Sequence, residues 1–202
     1  FIRESGSNFG NDDFESPASD TFDPNRQLRI VFVSSDFKMH SVAFFLRSVF
    51  ANWDTEASRL VLASTRRAPG DTIQEEFRNL ADEWHDIETT ETDAIVAQLR
   101  ALNCDIAVDL SGRTDGNRLD VFARRIAPVQ VTYLGSAWST GIDAMDYRIV
   151  DTLTDPIGSD IFDTETLVRL EPPFLCYRPE DYSVFPNRHE PLSDEITFGC
   201  FS

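Results

Sequence analysis

Three short polar clusters hold the side chains of this sequence that could do chemistry: Ser34 to His40, Asp109 to Arg118, and Tyr133 to Gly141. His40 is one of three histidines and stands between an apolar run, Ile30 to Val33, and a second run at helical spacing. With an ordinary pKa of about 6.5, an imidazole there serves at neutral pH as a general base or as a hydrogen-bond donor to a phosphate or hydroxyl. The plainer reading is a loop histidine that caps the helix after it. Asp36 and Asp109 supply carboxylates near it, although no spacing rule pairs them. Gly112-Arg113-Thr114 and Asn117 follow no phosphate-loop spacing; the glycines serve equally as turn formers and Asn117 as a helix cap. Gly135, Ser139, Thr140 and Gly141 offer amides and hydroxyls to an anion, or simply turn the chain, and Trp138 beside them is a candidate pocket wall. His85 and His189 fall in a surface connection and a proline-rich arm, which suits them less to function.

Such clusters matter only if regular elements bring them together. Residues 28–35 read as a buried strand, and 41–53 as a helix with Ser41 as its N-cap and Val42, Phe45, Leu46, Val49 and Phe50 on one face. Residues 58–65 form a second strand, and 71–84 a helix capped by Asp71. The pattern continues with an extended piece at 84–87, a helix at 90–103, a strand at 104–112, a short helix at 118–125 and a strand at 127–135. Shorter strands follow at 145–151 and 165–170. Strands that alternate with helices predict an α/β fold, a Rossmann-like parallel sheet with helices on both faces. In such a sheet ligands bind beyond the strand carboxyl ends, and all three polar clusters fall at those ends.

Residues 1–27 are polar and aperiodic and predict a disordered lead-in or linker. Residues 28–178 form the predicted domain, and 179–202 a proline-broken connection followed by a new strand, "EITFGCFS". The chain opens on Phe and stops as a strand begins, as a fragment would. Its 202 residues are 41% hydrophobic, enough for one full core. A formal charge of −17 speaks against nucleic acid as a partner, and Arg124-Arg125 reads as a solvated helix end. Of 18 basic residues only Lys38 is a lysine, a composition that suits a salt-rich environment or a GC-rich genome alike. No apolar run is long enough for a membrane span and no leader pattern opens the chain, so a soluble, cytoplasmic protein is expected. Cys104, Cys176 and Cys200 show neither metal-ligand nor disulfide spacing, and no metal site is expected.

Taken in order, "LRIVFVSSDFKMHSVAFFL", "DIAVDLSGRTDGNRLDVFARRIAPVQVTYLG", "STGIDAMDYRIVD" and "ETLVRLEPPFLCYRP" resemble the catalytic region of the O-GlcNAc transferases and their bacterial homologues. The likeness spans residues 28–202. It implies the N-terminal lobe of a GT-B glycosyltransferase, two Rossmann-like lobes facing a cleft, with a truncated second lobe beginning near the end of the chain. His40 matches the cleft histidine of the family's "SSDF…H" loop, considered there as a base or a positioning group. Where bacterial relatives read "GHT" this chain has Gly112-Arg113-Thr114, and guanidinium is no base at neutral pH, though it can hold a phosphate. Where they read "LGYPGT" it has "LGSAWS", so that loop should be shaped differently.

The resemblance implies an inverting, metal-independent transfer of GlcNAc from UDP-GlcNAc to Ser or Thr hydroxyls of proteins. His40 would be catalytic, and Asp36, Arg113, Thr114, Asn117, Gly135, Ser139, Thr140 and Gly141 would contact substrate. No resident cofactor is implied, only the nucleotide sugar as co-substrate. The implied partners are a protein acceptor, the C-terminal lobe and upstream helical repeats. Two alternatives stay open: a relative using GDP-fucose or UDP-glucose, and a degenerate lobe that binds without catalysis.

Overall fold

The computed structural model describes residues 26–178. The lead-in up to residue 25, the arm with His189, and Cys200 with the strand expected around it lie outside the described residues. Seven strands make one sheet in the order β3-β2-β1-β4-β5-β6-β7, every neighbouring pair parallel. They are β1 (Leu28–Ser34), β2 (Ser58–Ser64), β3 (Glu83–Asp86), β4 (Ile106–Asp109), β5 (Val129–Tyr133), β6 (Tyr147–Asp151) and β7 (Thr166–Leu170). The helices are α1 (Ser41–Ala51), α2 (Thr72–Leu80), α3 (Thr92–Ala101) and α4 (Leu119–Phe122).

Each central strand is apolar on both sides because each side faces helices. Phe32, Leu60, Leu62 and Val108 pack with Val42, Leu46 and Phe50 of α1 and with Ile73 and Phe77 of α2. Val31, Val33, Val61 and Ala107 pack on the opposite side with Ile95 and Leu99 of α3 and Val121 and Phe122 of α4. The chain order reverses between β1 and β4. On one side of that line the sheet grows through β2 and β3, and on the other through β5, β6 and β7.

Local ends differ from the sequence expectation in ways that tertiary contacts explain. α1 is capped by His40, not Ser41. α2 stops at Leu80, and Glu83-Trp84 belong to β3, drawn into the sheet by pairing with β2 and by the Arg29–Glu83 ion pair at 2.6 Å. α4 keeps only four of the eight predicted residues. Arg118 takes its N-cap position, while the Asn117 side chain accepts from the Leu119 amide at 3.3 Å. The β6–β7 crossover has no α-helix, only a 3-10 turn at Ser159–Phe162. Arg148, nearly buried beneath it, pairs with Asp155 and with Asp163 at 2.9 Å and so pins the crossover to the sheet.

Candidate functional site

β1, β4 and β5 are consecutive in the sheet, so the loops leaving them share one edge. Beside the reversal point lies a cavity of about 480 Å³, lined by Asp36, Lys38, His40 and Ser41 from the first loop and the start of α1. Val42 and Phe45 of α1, Arg66 after β2, Thr114 and Asp115 after β4, and Leu134 and Gly135 after β5 complete it. A crevice at such a reversal is where an open parallel sheet leaves room for a ligand.

The first loop is held from beneath. Phe37 is fully buried and its ring meets Phe50, Phe77 and Trp84 at 5.8–6.4 Å. Its carbonyl accepts from buried Gln74 at 3.1 Å, and the Met39 amide donates to Asp71 at 2.9 Å. Asp71 also caps α2 through the Ile73 and Gln74 amides. An aromatic anchor and two hydrogen bonds therefore fix Asp36 and His40, on either side of Phe37, against the sheet.

Asp36 is only 5% exposed. Among the described residues no donor lies within hydrogen-bond distance of its carboxylate; Lys38 Nζ stands 3.9 Å away and His40 Nδ1 4.0 Å. His40 Nδ1 accepts from the Val42 amide at 3.3 Å, closing the first turn of α1. That leaves Nε2 to carry the proton of the neutral ring.

The β4 loop is shaped by Asp109, a buried carboxylate that accepts from the Ser111 and Gly112 amides and from Thr132 Oγ1 at 2.8–3.1 Å. Burial pushes its pKa up. Two glycines let the β4 and β5 loops meet. A Cβ on Gly112 would come within 2.4 Å of Ser136 Cβ, and one on Gly135 within 2.2 Å of the Leu110 carbonyl oxygen. Residues 171–178 then cross the same edge. The Phe174 amide donates to Asp151 at 2.9 Å, Tyr133 donates to the Phe174 carbonyl at 2.9 Å, and the Tyr177 ring meets Phe45 at 5.8 Å. Burial holds the Tyr133 phenol at about 12.

The structure divides the residues that the sequence singled out. Asp36, His40, Thr114 and Gly135 line the cavity. Arg113, Asn117, Ser139, Thr140 and Gly141 are not among the lining residues. The Arg113 guanidinium donates to the Ser139 carbonyl at 3.2 Å and to the Thr140 carbonyl. The Ser139 and Thr140 hydroxyls are taken by buried Glu165, which also accepts from the Thr140 amide at 2.7 Å. Although burial works to raise Glu165, the hydrogen bonds from Thr140 and Ser139 bring its carboxyl below the ordinary range. Asn117 closes its own turn on the Thr114 carbonyl at 2.7 Å. These groups are engaged in building the loops, and Trp138, 75% exposed, is no wall of this cavity. Sequence reasoning passed over Lys38, Ser41, Val42, Phe45, Arg66, Asp115 and Leu134. The strand-end rule that found the other loops, applied to the residues after β2, would have found Arg66.

Among the described residues no three His, Cys, Asp or Glu side chains gather as a metal site requires. No helix there is long and apolar enough to cross a membrane.

Comparison with known proteins places this edge in context. The family model for glycosyl transferase family 41 matches residues 8–177. A probable UDP-N-acetylglucosamine–peptide N-acetylglucosaminyltransferase, SPINDLY, of Petunia hybrida is 34% identical over 184 residues, and the Arabidopsis thaliana protein of that name 36% identical over 186. Each alignment covers 89% of this chain, which spans about one fifth (20%) of either relative's length. A mutant O-GlcNAc transferase of Thermobaculum terrenum superimposes with a TM-score of 0.70 at 40% identity, over 73% of this chain and 28% of that one. With a family model matched across most of its length, the chain belongs to glycosyl transferase family 41.

Proposed function

We propose that this chain is the N-terminal, acceptor-side lobe of a nucleotide-sugar-dependent glycosyltransferase. It would move GlcNAc from UDP-GlcNAc to Ser or Thr hydroxyls of a protein, with inversion at the anomeric carbon. The observation that carries this reading is the cavity at the sheet reversal, lined by His40 and by Asp36, whose carboxylate has no hydrogen-bond donor among the described residues. An incoming hydroxyl needs an acceptor for its proton as its oxygen attacks, and the cavity supplies one. The charge on the departing diphosphate is the larger electrostatic demand. In this reading a second lobe would meet it, without a metal ion. The nucleotide sugar is the co-substrate, a protein is the acceptor, and upstream helical repeats would present it.

The test uses the full-length protein with labelled UDP-GlcNAc and a mixture of acceptor proteins, and GDP-fucose and UDP-glucose in parallel. Transfer to protein hydroxyls from UDP-GlcNAc is the expected result, and His40→Ala should lower it about 10²-fold or more with a melting temperature that still reports a folded protein. Preference for another donor would correct the sugar and keep the reaction class. Failure to turn over any of the three would overturn the enzymatic reading in favour of a binding lobe.

A further inference from the structure

We propose that Asp36 receives the proton of the attacking hydroxyl, while His40 holds that hydroxyl or its sugar partner as a hydrogen-bond donor through Nε2. This assignment rests on the glycosyl-transfer reading above and divides two tasks that a single histidine would otherwise combine.

Three observations carry it. First, the Asp36 carboxylate lines the cavity, is 5% exposed and has no hydrogen-bond donor among the described residues. A carboxylate in that state has lone pairs open to a hydroxyl entering the cavity. Secondly, Lys38 at 3.9 Å and His40 at 4.0 Å lie beside the carboxylate and too far away to occupy its lone pairs. Thirdly, His40 Nδ1 already faces the Val42 amide as an acceptor at 3.3 Å. A proton on Nδ1 would confront that N–H. The alternative arrangement, in which Asp36 takes the Nδ1 proton and frees Nε2 to act as base, requires that confrontation and a hydrogen bond the 4.0 Å separation does not make.

The step balances without another reagent. The hydroxyl oxygen bonds to the anomeric carbon, and the bond from that carbon to the diphosphate oxygen breaks, its electron pair leaving with the nucleoside diphosphate. The hydroxyl proton passes to Asp36, which returns it to water after product leaves. Nε2–H keeps its proton throughout.

Two measurements separate the possibilities. In the wild-type full-length protein, ¹⁵N shifts of the His40 ring at alkaline pH should show the proton on Nε2; a proton on Nδ1 would overturn the donor role without reference to activity. In the same protein Asp36→Asn should lose transfer by about 10²-fold or more while nucleotide-sugar affinity stays near wild type. His40→Gln, whose amide nitrogen can reach the Nε2 position, should retain transfer within about tenfold of wild type, and His40→Ala should not. Wild-type turnover in Asp36→Asn, or His40→Gln as inactive as His40→Ala, would sink the assignment. Should the wild-type protein transfer no sugar at all, the failure belongs to the functional reading, and the ring tautomer still decides the geometry.

Discussion

Arg113 shows how a residue can stand beside a cavity without lining it. In the sequence it is a cation in a strand-end loop, inviting a phosphate. In the fold its planar fork is used on the carbonyls of Ser139 and Thr140, so it ties the β4 loop to the β5 loop. Lysine offers a point charge without that fork. Arg113→Lys should therefore cost about 1 kcal/mol, a fall of about 2–4 °C in melting temperature for a domain of this size. Nucleotide-sugar affinity should change less than threefold. A large loss of affinity at unchanged melting temperature would show instead that the guanidinium holds substrate. Ser139 and Thr140 follow the same logic, because their hydroxyls satisfy Glu165 and are thereby spent. Neither engagement was legible in advance: Glu165 and Arg113 lie more than twenty residues away along the chain, and only the strand order brings them to the turn.

At the scale of elements, the β1 loop depends on one aromatic ring. Phe37 sits in a polar stretch, where neither helical nor strand periodicity marks it as core, yet it is fully buried among Phe50, Phe77 and Trp84. Removing it leaves a cavity and frees the loop that carries Asp36 and His40. Phe37→Ala should destabilise by about 3–5 kcal/mol, and Phe37→Leu by less, with transfer falling more than stability because the two cavity groups lose their fixed spacing. Equal activity per folded molecule in Phe37→Leu would disprove that coupling; circular dichroism melts alongside transfer rates would decide it. What was legible follows the same physics. Strand cores such as Ile30 to Val33 and Leu60 to Ala63 are continuous apolar runs because both faces of a parallel sheet are covered, and they stood out at once. Element ends were not legible. Glu83 left the predicted helix for β3 because sheet pairing and Arg29 claimed it, and His40 displaced Ser41 as the cap because its ring reaches the Val42 amide.

For the whole molecule the governing quantity is charge. A formal −17 on 202 residues means net self-repulsion at neutral pH. Against it stand carboxylates held below their ordinary range: Glu83 and Asp105, chiefly by hydrogen bonds from Arg29 and Arg26, and Asp71, Asp86, Asp120 and Glu165, where hydrogen bonds outweigh an opposing burial. A carboxyl whose folded pKa is depressed contributes stability that is present above its unfolded value, about 4, and is lost as pH falls through the lower folded value. Exposed Asp160, brought to about 2 by Arg169, extends that window downward. Asp109, raised by burial, works the opposite way: its contribution is present at low pH and fades as pH rises through its folded value. One group opposes the set, so the set decides the sign. The melting temperature should hold from about pH 7 to 5 and fall steeply below about pH 4.5, even though protonation relieves the net negative charge. Salt acts on the other term. At pH 7, going from about 0.02 M to 0.5 M NaCl shortens the screening length several-fold and weakens both the repulsion and the exposed ion pairs. The pairs are worth little individually, so the repulsion dominates and the melting temperature should rise. A fall with salt would mean that the arginine–carboxylate pairs, rather than the excess of acid, set the stability of this fold.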